Sequence, residues 1–419
     1  IQNPKSKIQN PKSKIQNPMS HPFPPPSIQP FDRFQAADGL LINAERWSKA
    51  HNYHRKRQNT HYQCLNQPGI VCGLGVRDIT PPSKVQAKYR DGRWVQIQPG
   101  IAIDLAGNLI VVPTAFDFPV DLEVANTEPI LVYLTVSYVD PEDLRSQNSR
   151  EVVREAYRFD QRNSALEISE IEIARILLQP GQKDITQPSD IFFPGYNNID
   201  LRYRRQAQTR PQAIVRVAQV NHSDSECARN FFNLSYFLQS IEPLYPHLRG
   251  LDEPGQVALT KQKNVQEYDL LYLTGKKELS ISSIEFETLK NYLNTGGILL
   301  IDAPSNAEAL IQSTYALAEK LKITLKKSTE LRRGHSLRTR PFLFAGLPIV
   351  NQKPIEIVTG GGIILIIGDL ASTWGFDKEF KLPRLAIRTA QEFGINIAYY
   401  AWKRRQLTGL QQEDSYGKW

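Results

Sequence analysis

Apolar positions in this chain follow two rhythms. In the first, short alternating runs recur at Ile70 to Ile79, Trp94 to Gln98, Ile101 to Leu105, Leu109 to Val112, Ile130 to Val139 and Leu166 to Leu178, separated by Pro-Gly, Asp-Gly and Ala-Gly-Asn turns. A period of two puts one face of each strand on a core, and tight turns make neighbours antiparallel, so this part predicts a β-sandwich or barrel. A helix precedes it: Asp38 or Asn43 can cap a run to about Tyr62 in which Ile42, Trp47, Ala50, Tyr53 and Arg57 mark one face. Ser146 to Tyr157 is polar and reads as a helix or loose excursion, and residues 181–212 read as an ordered linker carrying basic and aromatic groups.

From Ala213 the period changes. Strands are expected at Ala213 to Val220, Gln256 to Leu259, Asp269 to Leu273, Gly297 to Asp302, Ile355 to Thr359 and Ile363 to Asp369, with helices at Ser225 to Ser240, Ser283 to Leu293, Asn306 to Leu321 and Pro383 to Arg404. The continuous apolar runs Leu270 to Leu273 and Ile298 to Ile301 suit parallel strands covered on both faces. The expectation is an α+β multidomain chain: a helix plus antiparallel β module at 31–180, the linker, and a flavodoxin-like doubly wound α/β domain at 213–405, with residues 1–30 as a lead and 406–419 as a polar tail. A ligand of such a sheet sits beyond the carboxyl ends of the strands, which singles out His222, Gly275, Asp302, Asp369 and Trp374 as crevice candidates.

Composition narrows the class. A chain of 419 residues exceeds one core, and 41% hydrophobic residues with no apolar stretch of about 18 or more predicts a globular protein without a transmembrane span. Three cysteines, Cys64, Cys72 and Cys227, lack CxxC spacing; a reducing, cytoplasmic setting fits, with buried free thiols favoured over a Cys64–Cys72 pair. Residues 1–18 repeat a heptapeptide up to Met19 and are expected to stand outside the fold. Their four lysines supply part of the net charge of +8. The remaining basic clusters, Arg55 to Arg57, Arg202 to Arg210, Arg332-Arg333 and Lys403 to Arg405, carry no nucleic-acid reader motif and read as solvated surface, so no direct nucleic-acid contact is expected.

The chemistry-bearing residues form no catalytic set. His51, His54 and His61 lie on one helix, but Arg55, Lys56 and Arg57 among them would repel a cation, so packing or interface roles are expected and no metal. Gly360-Gly-Gly stands between two apolar runs, where a hairpin fits and a phosphate loop, which needs a following helix, does not. The turn after Ile301 reads Asp-Ala-Pro-Ser-Asn without a nucleophile-elbow frame, and Ser305 is expected as the cap of the next helix. Cys227 follows Glu226, which would raise its thiol pKa. Asp302, Asp369, His222 and His335 could form an acid/base set only if the loops that carry them converge; aspartates at strand ends more often hold backbone N–H groups. No cofactor is expected.

Two family resemblances add to this. The segment Leu40-Leu-Ile-Asn-Ala-Glu-Arg-Trp, Tyr53-His-Arg-Lys-Arg, His61, Gly69-Ile-Val-Cys-Gly-Leu-Gly-Val and Pro99-Gly-Ile-Ala-Ile-Asp-Leu-Ala-Gly-Asn-Leu-Ile resembles a module of baseplate or tail-accessory type from phage-tail-like contractile injection systems, across about 31–180. Residues 213–405 resemble an uncharacterised bacterial domain related in fold to class I glutamine amidotransferases, through Tyr268-Asp-Leu-Leu-Tyr-Leu-Thr-Gly, Leu289-Lys-Asn-Tyr-Leu-Asn-Thr-Gly-Gly-Ile-Leu-Leu-Ile-Asp, Asp369 with Trp374-Gly, and Gly394-Ile-Asn-Ile-Ala-Tyr-Tyr. The first loop departs: Asn221-His-Ser-Asp-Ser-Glu replaces a glycine-rich stretch ending in Asp-Trp, and the nucleophilic cysteine is missing. The resemblances imply a structural subunit of an injection-machine baseplate or spike end. Its partners would be other baseplate, spike or sheath-end subunits and further copies of itself, with any membrane docking made through the assembly. Aromatic and arginine groups dominate protein interfaces, which makes Trp47, Tyr53, His54, Arg202, Tyr203, Arg204 and Arg205 the interface candidates. The alternative is a hydrolase or amidotransferase-like enzyme using the second domain.

Overall fold

The computed structural model describes residues 26–411 apart from 28, 87–89, 123–127, 141–153, 182–183, 222–226, 252 and 376–378. The repeat at 1–18, His222 and most of the polar excursion therefore lie outside the described residues. The chain divides into two compact units, Ile1–Arg210 and Pro211–Trp419, and the fold is α+β, antiparallel in the first unit and mixed in the second.

In the first unit, helix α1 (Ala44–Leu65) is followed by β1 (Gly69–Gly73), β2 (Val76–Asp78), β3 (Trp94–Ile97), β4 (Gly100–Ile103), β5 (Leu109–Val112), β6 (Phe116–Pro119), β7 (Ile130–Val139), β8 (Ala156–Arg162), β9 (Glu170–Leu178) and β10 (Ile199–Asp200). They make three antiparallel sheets, ordered β1-β4-β5, β2-β3-β6 and β10-β9-β7-β8. Their inward residues, among them Ile70, Val95, Ile97, Ile110, Val132, Leu134, Ile173 and Ile176, share one core. The run expected as one strand from Ile70 to Ile79 is two, because Gly73 (φ 66) and Leu74 (φ 53) turn left-handed. A Cβ at Gly73 would overlap the Pro99 carbonyl, so the turn demands glycine.

Two further expectations for this unit are corrected. Ala156 to Tyr157 open a strand rather than closing an excursion; β8 is an edge strand, and an edge tolerates Arg158, Asp160 and Arg162, whose charges hide the alternation. Residues 184–210 are integral to the unit and no linker: Ile185 and Ile199 enter its core, Ala207 donates its N–H to Ile70 O (2.8 Å), and Ile70 donates to Arg205 O (2.8 Å). These bonds are made by irregular backbone, which leaves no periodic signature. Helix α1 has its expected cap, the Asn43 side chain accepting the Arg46 N–H at 2.9 Å, and none of its residues is buried. It rests on the Asp104–Asn108 turn: Gln63 Nε2 donates to Ala106 O (2.6 Å), and the Asn59 backbone lies where a Cβ on Gly107 would be.

The second unit is built on a seven-stranded sheet. Its elements in chain order are β11 (Ala213–Val215), β12 (Val217–Val220), α2 (Cys227–Leu244), β13 (Leu248–Gly250), β14 (Gly255–Val257), α3 (Gln262–Val265), β15 (Leu270–Thr274), α4 (Ser283–Asn294), β16 (Ile298–Ala303), α5 (Glu308–Lys320), β17 (Lys326–Lys327), α6 (Ser336–Thr339), β18 (Ile349–Val350), β19 (Lys353–Pro354), β20 (Glu356–Gly360), β21 (Ile363–Ile367) and α7 (Arg384–Leu410). The sheet order is β14-β12-β15-β16-β21-β20-β17. Alternate residues of each central strand face opposite layers. Leu270, Tyr272, Ile298, Leu300, Ile364 and Ile366 pack with Phe237 of α2 and Phe393 and Ile397 of α7. Leu271, Leu273, Leu299, Ile301, Ile363 and Leu365 pack with Leu289 and Tyr292 of α4 and Leu310 and Leu317 of α5. Both faces are covered, which is why these strands are apolar throughout.

The sheet is mixed rather than parallel. Strands β14, β12, β15, β16 and β21 run parallel, and β20 runs against both β21 and β17. The cause is the glycine turn: Gly361 (φ 56) and Gly362 (φ 99) form the two-residue hairpin between β20 and β21, and a hairpin inverts the strand it adds. Ser305 does not cap α5, whose N-cap position is Ala307 with no side-chain bond; Ser282 and Glu285 form the capping box of α4.

Candidate functional site

The carboxyl ends of β15, β16 and β21 bring Gly275, Asp302 and Asp369 into one region. Gly275, buried just past β15, has φ 154. Asp302 is the penultimate residue of β16 and is fully buried. Its Oδ1 accepts the Leu370 N–H (2.9 Å), and its Oδ2 accepts the Ala371 N–H (2.8 Å) and the Tyr272 hydroxyl (3.2 Å). Leu370 and Ala371 open a 3-10 turn, Leu370–Thr373, whose N-cap position is Asp369, left-handed at φ 59 with no capping side chain. Asp302 thus does from a neighbouring strand what a local cap residue normally does.

Burial and the adjacent Asp369 charge raise the Asp302 carboxyl to about 7, against the lowering effect of its two backbone N–H bonds. The same burial, with Asp302 and Asp369 beside it, pushes the Tyr272 phenol well above its ordinary range. An acid with a pKa near neutrality could serve in proton transfer, but a proton donor must reach its substrate, and this carboxyl is sealed with both oxygens engaged.

Trp374 is core and lines no crevice: its indole stacks on Phe237 with centroids 4.6 Å apart and donates Nε1–H to Ala390 O at 3.2 Å. His335 caps α6 by accepting from Leu337 N (3.4 Å) and packs against Tyr400 (5.6 Å). Tyr272 and Gln219, both buried and paired in register on β15 and β12, were not anticipated; a tyrosine and a glutamine inside apolar strands were the available signal. Among the described residues no set of three His, Cys, Asp or Glu side chains could hold a metal ion.

The interface candidates divide. Trp47 is exposed on α1 and packs against His51 (4.9 Å). His54 packs against Tyr53 (5.2 Å) and His61 against Tyr62 (6.1 Å), so each helix histidine has an aromatic neighbour. Tyr53 and His54 line a shallow cavity of about 420 Å³ with Arg33, Phe34, Gln35, Ala36 and Ala50. Leu41 and Ile42, just before the helix, are also exposed.

On the other side of the set, Tyr203 lies under the Arg175 guanidinium at 3.8 Å, and Arg202 is bound to Asp200 (2.8 Å). Arg205 is exposed. Arg204 is a correction: it is partly buried and donates to Gly73 O (2.6 Å) and to Leu74 O, which makes it a clamp on the β1–β2 turn. Its burial lowers its pKa.

Two other sequence readings change. Cys64 and Cys72 are free and exposed, contrary to the expected buried thiols; Cys64 lies on the uncovered side of α1, and the Cys72 end of β1 is uncovered. Arg404 and Arg405 are not a solvated patch, since Arg404 donates to Gly297 O (2.5 Å), Leu293 O (3.0 Å) and Gly361 O (3.3 Å). It thereby closes the carbonyl end of α4 and the β20–β21 turn.

Comparison with known proteins matches residues 216–402 to a family described as a domain of unknown function, DUF4159. That span lies within three residues of the 213–405 boundaries at either end. No curated protein matches the chain. A solved structure described as the crystal structure of TssK aligns over 77% of this chain and 68% of its own at 12% identity and a TM-score of 0.20, a superposition too loose to establish a common fold. No helix among the described residues is long and apolar enough to cross a membrane.

Proposed function

We propose that the chain is a structural and interaction subunit of a baseplate or spike-end assembly of a contractile injection machine, held in place through α1. The observation that carries this reading is a 22-residue helix with no buried residue. A helix gains most of its stability by packing an apolar face, so one folded with Trp47 in solvent, and with Leu41 and Ile42 exposed just before it, has a surface available to a neighbour. The resemblance of residues 31–180 to baseplate and tail-accessory modules supplies the class of neighbour: other baseplate, spike or sheath-end subunits and further copies of this chain.

The α/β unit is, on this reading, a folded body without catalysis. The sealing of Asp302 and its role in holding Leu370 and Ala371 support that view. The test is isolation of the native assembly from cells carrying wild-type chain or Trp47→Ala. Wild type should co-purify in stoichiometric amount and the variant should be depleted. An assembly complete in every other subunit but lacking this chain refutes the proposal.

A further inference from the structure

We infer that the exposed face of α1 seats an acidic surface of a different subunit, with a carboxylate of that partner held between Arg33 and Arg57. This rests on the docking role proposed for α1 and names what α1 meets. Trp47, His51, His54, Gln58, His61 and Leu65 are all exposed and stand alternately four and three residues apart. That spacing keeps them in one stripe along the helix, about 27 Å long at about 1.5 Å per residue. The stripe is turned away from Asn59 and Gln63, which rest on the Asp104–Asn108 turn.

One margin of the stripe is cationic. At about 100° per residue, Arg46 and Arg57 fall on the same side of it as Ala50 and Tyr53, which line the cavity of about 420 Å³ together with Arg33 and His54. Arg57 Nη1 donates to the Tyr53 hydroxyl at 3.0 Å, which places its guanidinium beside that cavity. Phe31 packs edge-on against Tyr53 (6.5 Å) and holds the segment bearing Arg33 against the helix. Arg55, on the opposite margin, is bound to Asp140 at 2.8 Å. Among the described residues, no carboxylate lies within ion-pair reach of Arg33 or Arg57. No acid lines the cavity, and none occurs from Arg46 to Leu65. Two guanidiniums at a concave site without an acid of its own suit a carboxylate, which the planar fork of arginine binds through paired hydrogen bonds.

The layout of charge selects the partner. Laying α1 against α1 of a second copy would add cations and no acid. A bilayer needs an apolar stripe, and here Trp47 and Leu65 are separated by three histidines and a glutamine. A helix that binds nucleic acid turns its lysines and arginines toward the phosphates, whereas this facing stripe has none. Rings and an amide in the middle with cations at the rim are the anatomy of a protein interface.

The experiment isolates assemblies from cells carrying wild-type or variant chain, washes them at rising salt after nuclease treatment, and measures the chain retained. Wild type should be held at about 0.05 M salt and reduced about fivefold at about 0.5 M. Arg33→Glu with Arg57→Glu should lower retention about tenfold at low salt, with circular dichroism unchanged. Arg332→Glu with Arg333→Glu, the same charge change at exposed positions of the second unit, should leave retention unaltered. In an Arg57→Lys protein, a carbodiimide, which joins an amine to a carboxylate, should form a crosslink to an aspartate or glutamate of a different subunit that wild type does not form. Wild type absent from the assembly at low salt removes the docking role of α1 and this inference with it. Wild type present but indifferent to salt, equal retention of the Arg33→Glu, Arg57→Glu protein, or a position-57 crosslink only to a second copy keeps the docking role and overturns the acidic partner. Release by nuclease or detergent alone assigns the arginines to nucleic acid or lipid instead.

Discussion

Replacing Asp302 with asparagine separates two effects that the buried carboxylate combines. Asp302 accepts from Leu370 N, Ala371 N and the Tyr272 hydroxyl; asparagine keeps the shape but turns an NH₂ toward one of those donors. A buried donor left without an acceptor costs about 1–3 kcal/mol. The second effect has the opposite sign. The folded carboxyl titrates at about 7 and the ordinary value is 3.8, so between those values the folded state holds a proton that the unfolded state has released. Stability from this group is complete at low pH and falls as pH rises through the window, by about 4 kcal/mol in all. Asparagine does not titrate. The variant should therefore be less stable than wild type by about 1–3 kcal/mol near about pH 4, with the gap closing or inverting by about pH 8. Urea unfolding of both proteins across that range, with amide exchange of the peptide bearing Leu370 and Ala371 to assign the transition, measures it. Parallel pH profiles for the two proteins would refute the reasoning.

Arg404→Met strips the Gly297, Leu293 and Gly361 carbonyls of a shared donor and should cost about 2 kcal/mol of second-unit stability by thermal unfolding. Arg404→Lys should recover only part, since an ammonium cannot fork across them. Gly107→Ala requires a left-handed alanine (φ 81) whose Cβ meets the Asn59 carbonyl. It should cost about 1–2 kcal/mol and speed amide exchange along α1, leaving exchange in the second unit unchanged. Trp47→Ala, at an exposed position, should move unfolding by less than about 0.5 kcal/mol while lowering recovery of the chain with its assembly.

Much of the second unit was legible because its strands are buried on both faces and its helices carry one apolar side; Leu270 to Leu273 and Ile298 to Ile301 could be little else. The reversal of β20 was implicit in Gly361-Gly362, yet a hairpin and a parallel sheet cannot both hold at that edge. In the first unit, β8 escaped notice because edge pairing tolerates charge, and residues 184–210 because their bonds to β1 and β9 are irregular. The candidate site was harder still. Sequence placed Asp302 at a strand end, but its partners Leu370 and Ala371 lie far along the chain, and only folding reveals that the carboxylate is consumed by them. Helix α1 was legible from its cap and its spacing, but the sequence did not say how little of it the fold would cover: none of its residues is buried.

The lateral margins of the large sheet have a consequence for how copies can meet. One margin is β14, three residues long, and the other is β17, only Lys326 and Lys327, both exposed. A strip of unpaired backbone this short, with lysines on one side, gives an incoming strand almost nothing to zip onto. In the proposed assembly, then, the large sheet is not the element that would be extended as one continuous ribbon from protomer to protomer. Cohesion along that sheet would come from side chains, so a subunit could be inserted or withdrawn there without tearing backbone hydrogen bonds in the next.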